Sequence, residues 1–332
     1  MRVWRRCMDA AGVRGSEARA DYLKVAQFMQ RREPAGYAAV RLLTPAHFQP
    51  HVLAGYAFAS FTDDLCDRGT VAERTRRFDA WAGQIRAALD SGTTRHPLLR
   101  AFLHTSGLRD LPRRWIESYL DGARIDLDFP GFATEADYQT YVDRLTWPFL
   151  MITTGLAQPG GGTEQFARSC RLVADAGQRT DILTDLAEDL RDGRLYLPLD
   201  ALAQHGVTRA DLDAGSEAPG VRALLADAAG KAHDTLHEAN RLFDELSEEY
   251  WPLMRFVLDL HHQRLETVVA MGGAVTRRPA RDNPVACLRL LARARRPRAG
   301  RGHAPEYRPA GSTAGSAVLS TGEGTGDERA AA

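Results

Sequence analysis

The chain has 332 residues, with 43 Lys and Arg against 43 Asp and Glu and a formal net charge of zero. That balance excludes the global basic field that draws a protein onto nucleic acid or anionic lipid, and the length suits one large domain or two small ones. Cys7, Cys66, Cys170 and Cys287 are widely spaced without a CxxC pair, which speaks against a cysteine metal site or a disulfide framework and fits a reducing compartment.

The first residues, MRVWRRCMDAAGVRG, contain no apolar run of signal-peptide length, and no later run approaches a membrane span. A soluble, cytoplasmic protein is expected, with a flexible segment over 1–18. Asp21–Arg31 has helical periodicity and leads through Arg31 and Arg32 into a Pro34 turn and Tyr37. Thr44 and Pro45 predict the cap and first turn of a helix that carries Tyr56 and Ser60 through the apolar run HVLAGYAFASF. Asp63, Asp64 and Asp67 follow that run; Asp63 and Asp67 are one helical turn apart, at the end of a helix expected to be buried nearly all round. Cys66 reads as a small packing residue on the opposite face.

Residues 70–108 predict two helices, broken at Ser91-Gly92 and closed by Gly107. Leu111-Pro112 opens another, through Trp115, Tyr119 and Gly122 to Asp126, with Asp128 as surface charge. From Tyr138 to Gly155 a helix is expected that Pro148 bends or loosens.

Gln178–Pro198 then reads QRTDILTDLAEDLRDGRLYLP, placing Asp181, Asp185 and Asp189 at i, i+4 and i+8, one stripe of carboxylates on a helix. Like charges at that spacing repel, so the stripe is either bathed in water or binds a cation; hard oxygen ligands on a rigid element suit Mg²⁺, usually shared with substrate phosphates. Ile182, Leu183, Leu186 and Leu190 interleave with the acids and pack the other side. Short helices among loops follow. Val221–Leu246 and Trp251–Ala274 are amphipathic, and the second bears His261 and His262. After about Ala294 the chain turns to Gly, Ser, Ala and Pro and is expected to be a disordered tail over 295–332. No nucleotide-binding Gly-rich loop, HExxH or GxSxG motif is present. The expectation is an all-α domain over 19–294, a helical bundle with its cavity between facing helices.

The DDxxD cluster at Asp63, Asp64 and Asp67, the DxxxD pair Asp185 and Asp189, and the GRLYLPLDAL that follows resemble the squalene and phytoene synthase family. Arg41-Leu42-Leu43, the run Asp121 to Leu127 and the late helix Leu265 to Gly273 extend the resemblance over about residues 20–294. It implies an isoprenoid synthase-type bundle with a central cavity, in which Asp63, Asp67, Asp185 and Asp189 hold Mg²⁺, with Asp64 and Asp181 as further ligands. Arg31, Arg32, Arg194 and Gln178 are the implied diphosphate partners, and Tyr37 and Tyr56 line the cavity.

Against the family pattern, Glu33 and Ala35 replace two serines, Ser60 and Thr184 replace arginines, Asp181 replaces an asparagine, and His262 stands near a usual tyrosine. Trp147, Phe149 and Leu150 stand where small residues are expected. Losing a charged partner from a buried site costs about 3–5 kcal/mol, so these departures predict a site for one diphosphate only. The expected activity is Mg²⁺-dependent transfer of a dimethylallyl group to a small aromatic acceptor, a carbazole or indole-derived ring, stacked on Trp147 and Phe149. Head-to-head condensation of two farnesyl or geranylgeranyl diphosphates is the alternative, and a non-catalytic isoprenoid-binding protein the second.

Overall fold

In the computed structural model, which describes residues 2–67 and 69–296, every regular element is a helix and no strand occurs among the described residues. Helix ends follow local chemistry. Val71–Ser91 opens on a reciprocal capping box, Glu73 Oε2 accepting from the Thr70 amide at 2.9 Å, and closes on Gly92 at φ 71°. Thr163 caps Glu164–Thr184 by accepting from the Phe166 amide at 3.1 Å.

The structure corrects several expectations. The segment expected to be flexible carries a helix, Arg2–Ala10, whose Trp4, Cys7 and Met8 are buried, with the Arg41 guanidinium 4.8 Å over the Trp4 ring. Thr44 closes Pro34–Leu43 instead of opening the next helix: Gln49 Nε2 donates to the Thr44 carbonyl at 2.9 Å, and the next helix is Gln49–Asp67. Val221–Leu246 is interrupted: Asn240 Nδ2 donates to the Leu236 and His237 carbonyls at 3.1 Å each, ending Pro219–Ala239 before the short Leu242–Glu245. The tail 297–332 lies outside the described residues.

Glu164–Thr184 is the central element, packed along Pro219–Ala239 and against Trp251–Met271 and Trp147–Thr153. Gln49–Asp67 packs against Ser16–Arg32, Pro97–Leu108 and the same Trp147–Thr153. The two helices that carry the acidic residues therefore flank one shared wall. Close approach there depends on glycine: a Cβ at Gly55 would lie 2.6 Å from the Ile152 carbonyl oxygen, and one at Gly122 only 2.0 Å from that of Arg144.

That wall is not one regular helix. Glu135–Tyr141 passes into a π turn over Val142–Thr146, with the Trp147 amide bonded to the Val142 carbonyl, before Trp147–Thr153 resumes. Pro148 lacks an amide to donate, and the wider turn just before it absorbs the missing bond.

Candidate active site

The first acidic wall comes from the end of Gln49–Asp67. Asp63 and Asp67 open on the cleft, and Asp64 accepts from Arg32 Nε at 3.0 Å. Asp126 joins them from the 3₁₀ turn Arg124–Asp128, its two oxygens accepting from the Tyr141 hydroxyl at 3.0 and 3.1 Å, whereas Asp128 is exposed. Burial, reinforced by the charges of Asp67 and Asp126, pushes the Asp63 carboxyl up to about 7. Burial pushes Asp126 to about 6 in spite of the Tyr141 hydrogen bond.

The second wall differs from the expected continuous stripe. Glu164–Thr184 ends at Asp185, which has φ −99° and ψ 1°, and a new helix runs Leu186–Arg191. The Asp189 amide still bonds to the Asp185 carbonyl at 3.0 Å, so the chain bends and the three carboxylates stay on one side. Burial and the Asp181 charge push Asp185 to about 6, and burial with Asp185 pushes Asp189 to about 7. Asp181 is pushed to about 6 by burial, opposed by Arg264, whose Nη1 is 3.3 Å away.

Arg194 ties the walls together. Its Nη1 stands 3.8 Å from Asp67 Oδ1, and its charge holds down the carboxyls of both Asp126 and Asp189. One guanidinium thus stands beside the first cluster and lowers a carboxyl of the second. Among the described residues, no three acidic, His or Cys side chains already form a ligand set for a metal ion. Mg²⁺ binds through one or two carboxylates completed by substrate phosphate oxygens and water. Hard oxygen donors whose charges are mutually destabilised fit such ions.

The other predicted residues divide. Gln178 is half-buried beside Gly177, Tyr37 and Ser60 are half-buried, and Arg31 is exposed with no ion pair among the described residues. Tyr56 packs edge-on to Phe149, with ring centroids 5.9 Å apart, and Leu150 joins Tyr56, Val257 and Met254 around a narrow apolar pocket of about 40 Å³. Thr184 is buried and donates to the Asp181 carbonyl at 3.0 Å. Trp147 packs on Trp115, centroids 5.1 Å apart, and Phe149 lies 6.3 Å from Tyr119 one turn along the same helix, so each ring already has its own aromatic partner.

His262 is likewise corrected. It faces His233 on Pro219–Ala239, ring centroids 5.5 Å apart, while His261 is the one set against Gly177, its Nε2 3.5 Å from where a Cβ there would be. Burial holds the His261 imidazole down at about 4, so it is neutral. Sequence reasoning gave no role to His261, to Arg264 and its partner Asp282, or to Tyr196, which hydrogen-bonds Arg194; the one available signal was that Arg264 is three residues from His261 on the same helical face. A larger cavity of about 740 Å³ around Asp21, Arg100 and His104 contains none of these acidic residues.

With this geometry in view, the model of squalene/phytoene synthase matches residues 30–289. The chain belongs to the squalene/phytoene synthase family. It is 34% identical over 215 residues to phytoene synthase of Thermus thermophilus, covering 63% of this chain and 70% of that one. It is 27% identical over 292 residues to a bifunctional protein, CrtB/UppS, of Streptomyces coelicolor, covering 83% of this chain but spanning only 51% of that protein's length. Among solved structures, squalene synthase HpnC of Alicyclobacillus acidocaldarius superposes with a TM-score of 0.69 at 26% identity, over 81% of this chain and 99% of that one. The all-α isoprenoid synthase-type fold is thereby established, and the chain is of the prenyl-transferring type.

These relatives overturn the expected aromatic prenylation, since they are named for making phytoene and squalene. The inference failed for a physical reason. Cations are lost along the sequence at Ser60 and Thr184, whereas Arg264 brings charge to the second wall from another element, and Trp147 packs on Trp115. No helix among the described residues is long and apolar enough to cross a membrane.

Proposed function

We propose that the chain condenses two prenyl diphosphates of the farnesyl or geranylgeranyl class head to head, in a Mg²⁺-dependent reaction. The supporting observation is the pair of opposed carboxylate walls joined through Arg194, within a family whose relatives carry this chemistry in their names.

Bound Mg²⁺ supplies positive charge that stabilises a diphosphate leaving group. Asp63 and Asp67 on one wall, with Asp185 and Asp189 on the other, would hold the ions, while Asp64 is tied to Arg32. Arg32 and Arg194 pair the diphosphate oxygens; Gln178 and the uncommitted Arg31 are further partners at the rim. As the allylic C–O bond of one substrate breaks and diphosphate leaves, the double bond of the second gives its electron pair to the cation, and the new cation loses a proton to the released diphosphate. Tyr56, Phe149 and Leu150 keep water from that cation, and the two aromatic faces lower its energy.

Incubation of the protein with Mg²⁺ and farnesyl or geranylgeranyl diphosphate as sole organic substrate should yield a C30 or C40 condensation product with release of diphosphate. The reading fails if neither substrate gives a condensed product.

A further inference from the structure

One guanidinium lies between two carboxylates at the edge of the second acidic wall. Arg264 donates from Nε to Asp282 Oδ1 and from Nη2 to Asp282 Oδ2, both at 2.8 Å, and from Nη1 to Asp181 Oδ1 at 3.3 Å. The side chain is anchored through one edge, and two of its five N–H bonds have no protein acceptor among these contacts.

Arg264 also lines a cavity of about 230 Å³ with Thr184, Asp185 and Glu188, closed by residues 279–282. The Ala280 amide donates to the Thr184 carbonyl at 2.9 Å, which fixes that closing segment to the end of Glu164–Thr184. Around this cavity four carboxylates, Asp181, Asp185, Glu188 and Asp282, face two guanidiniums, Arg264 and Arg281. Only Asp282 holds Arg264 in the bidentate geometry that aims a guanidinium; the single longer contact to Asp181 is the one that a stronger anion displaces. Thr184, where the sequence lacks a cation, borders the same space, so charge missing from one helix is delivered from another.

We propose that Arg264 is a diphosphate-binding residue, aimed by Asp282, and that Asp181 is its resting counter-ion and not a metal ligand. This rests on the reading of the site as one that takes prenyl diphosphates, and it names the group that grips the anion beside Asp185.

Titration of the full chain with inorganic pyrophosphate in Mg²⁺, followed by calorimetry, tests it without turnover. Loss of a charge-assisted hydrogen bond weakens binding by about 10- to 100-fold, which is the effect expected for Arg264→Gln. Arg264→Lys keeps the charge, and Asp282→Asn keeps the guanidinium but loosens its aim; each should fall between wild type and Arg264→Gln. Removing a competing carboxylate in Asp181→Asn should tighten pyrophosphate by a factor of about two to five, with the half-saturating Mg²⁺ concentration unmoved. Wild-type affinity in both Arg264 variants, or a tenfold higher Mg²⁺ requirement in Asp181→Asn, overturns the proposal. Should the wild-type chain bind pyrophosphate as described yet make no C30 or C40 product, the proposed condensation fails while the role of Arg264 stands.

Discussion

Substituting Gly122 by alanine tests whether the cavity depends on the π turn. Gly122 lies on Arg113–Ala123, two positions before the turn that carries Asp126. The added Cβ would meet the Arg144 carbonyl oxygen at 2.0 Å, its carbon at 2.5 Å and Leu145 Cα at 2.8 Å. All three are backbone atoms, so no side chain can swing aside and the two elements must separate. Overpacking typically costs about 1–3 kcal/mol, and an obstacle made wholly of main chain puts this variant near 3 kcal/mol. For a domain of this size, whose unfolding entropy is about 0.6 kcal/mol/K, that lowers the melting temperature by about 5 °C. Gly83→Ala and Gly230→Ala are the controls: both glycines are helical and exposed, with nothing within 4 Å of an added Cβ. Each should stabilise by about 0.5–1 kcal/mol through better helix propensity. Thermal unfolding of the three variants side by side decides the matter; a Gly122→Ala protein as stable as its controls would refute the packing described between Arg113–Ala123 and Val142–Thr146.

Asp63→Asn and Asp185→Asn should each lower kcat/KM by about 100-fold or more, as expected when a group that stabilises developing charge is lost, while circular dichroism stays native; near-normal turnover would remove these walls from the chemistry. The pH dependence of stability has a definite sign. Asp63 and Asp189 are raised to about 7 and Asp185 and Asp126 to about 6, so between roughly pH 4 and 7 the folded state holds more protons than the unfolded one. Their contribution to stability therefore falls as pH rises through that window, and without Mg²⁺ the site is most strained above it. Mg²⁺ should raise the melting temperature more at pH 8 than at pH 5.5; an equal or reversed shift would contradict the assignment. Phe149→Ala removes the ring packed on Tyr56 and should move substrate preference toward the longer prenyl diphosphate, read as the ratio of C40 to C30 product in a competition assay. An unchanged ratio would take Phe149 out of the tail pocket.

The helices and both acidic clusters were legible in the sequence because each is a local pattern. Period 3.6 in Glu164–Thr184, the Thr70–Glu73 cap and the spacing of Asp63 from Asp67 need only neighbours along the chain. Tertiary structure decided what the site's charge amounts to. Arg264 meets Asp181 from 83 positions away, and Arg194, named from the sequence, reaches Asp67 of the other cluster. Cations at Ser60 and Thr184 are missing in one dimension, yet in three dimensions Arg264 stands against the second acidic wall. The choice of His261 over His262 was also made by packing, since adjacent helical positions differ by only about 100° and the rotation of Trp251–Met271 against Gly177 settles which ring turns inward. Local regularity writes itself into a sequence; the meeting of distant charges depends on how the helices lie, and no short stretch of residues encodes that by itself.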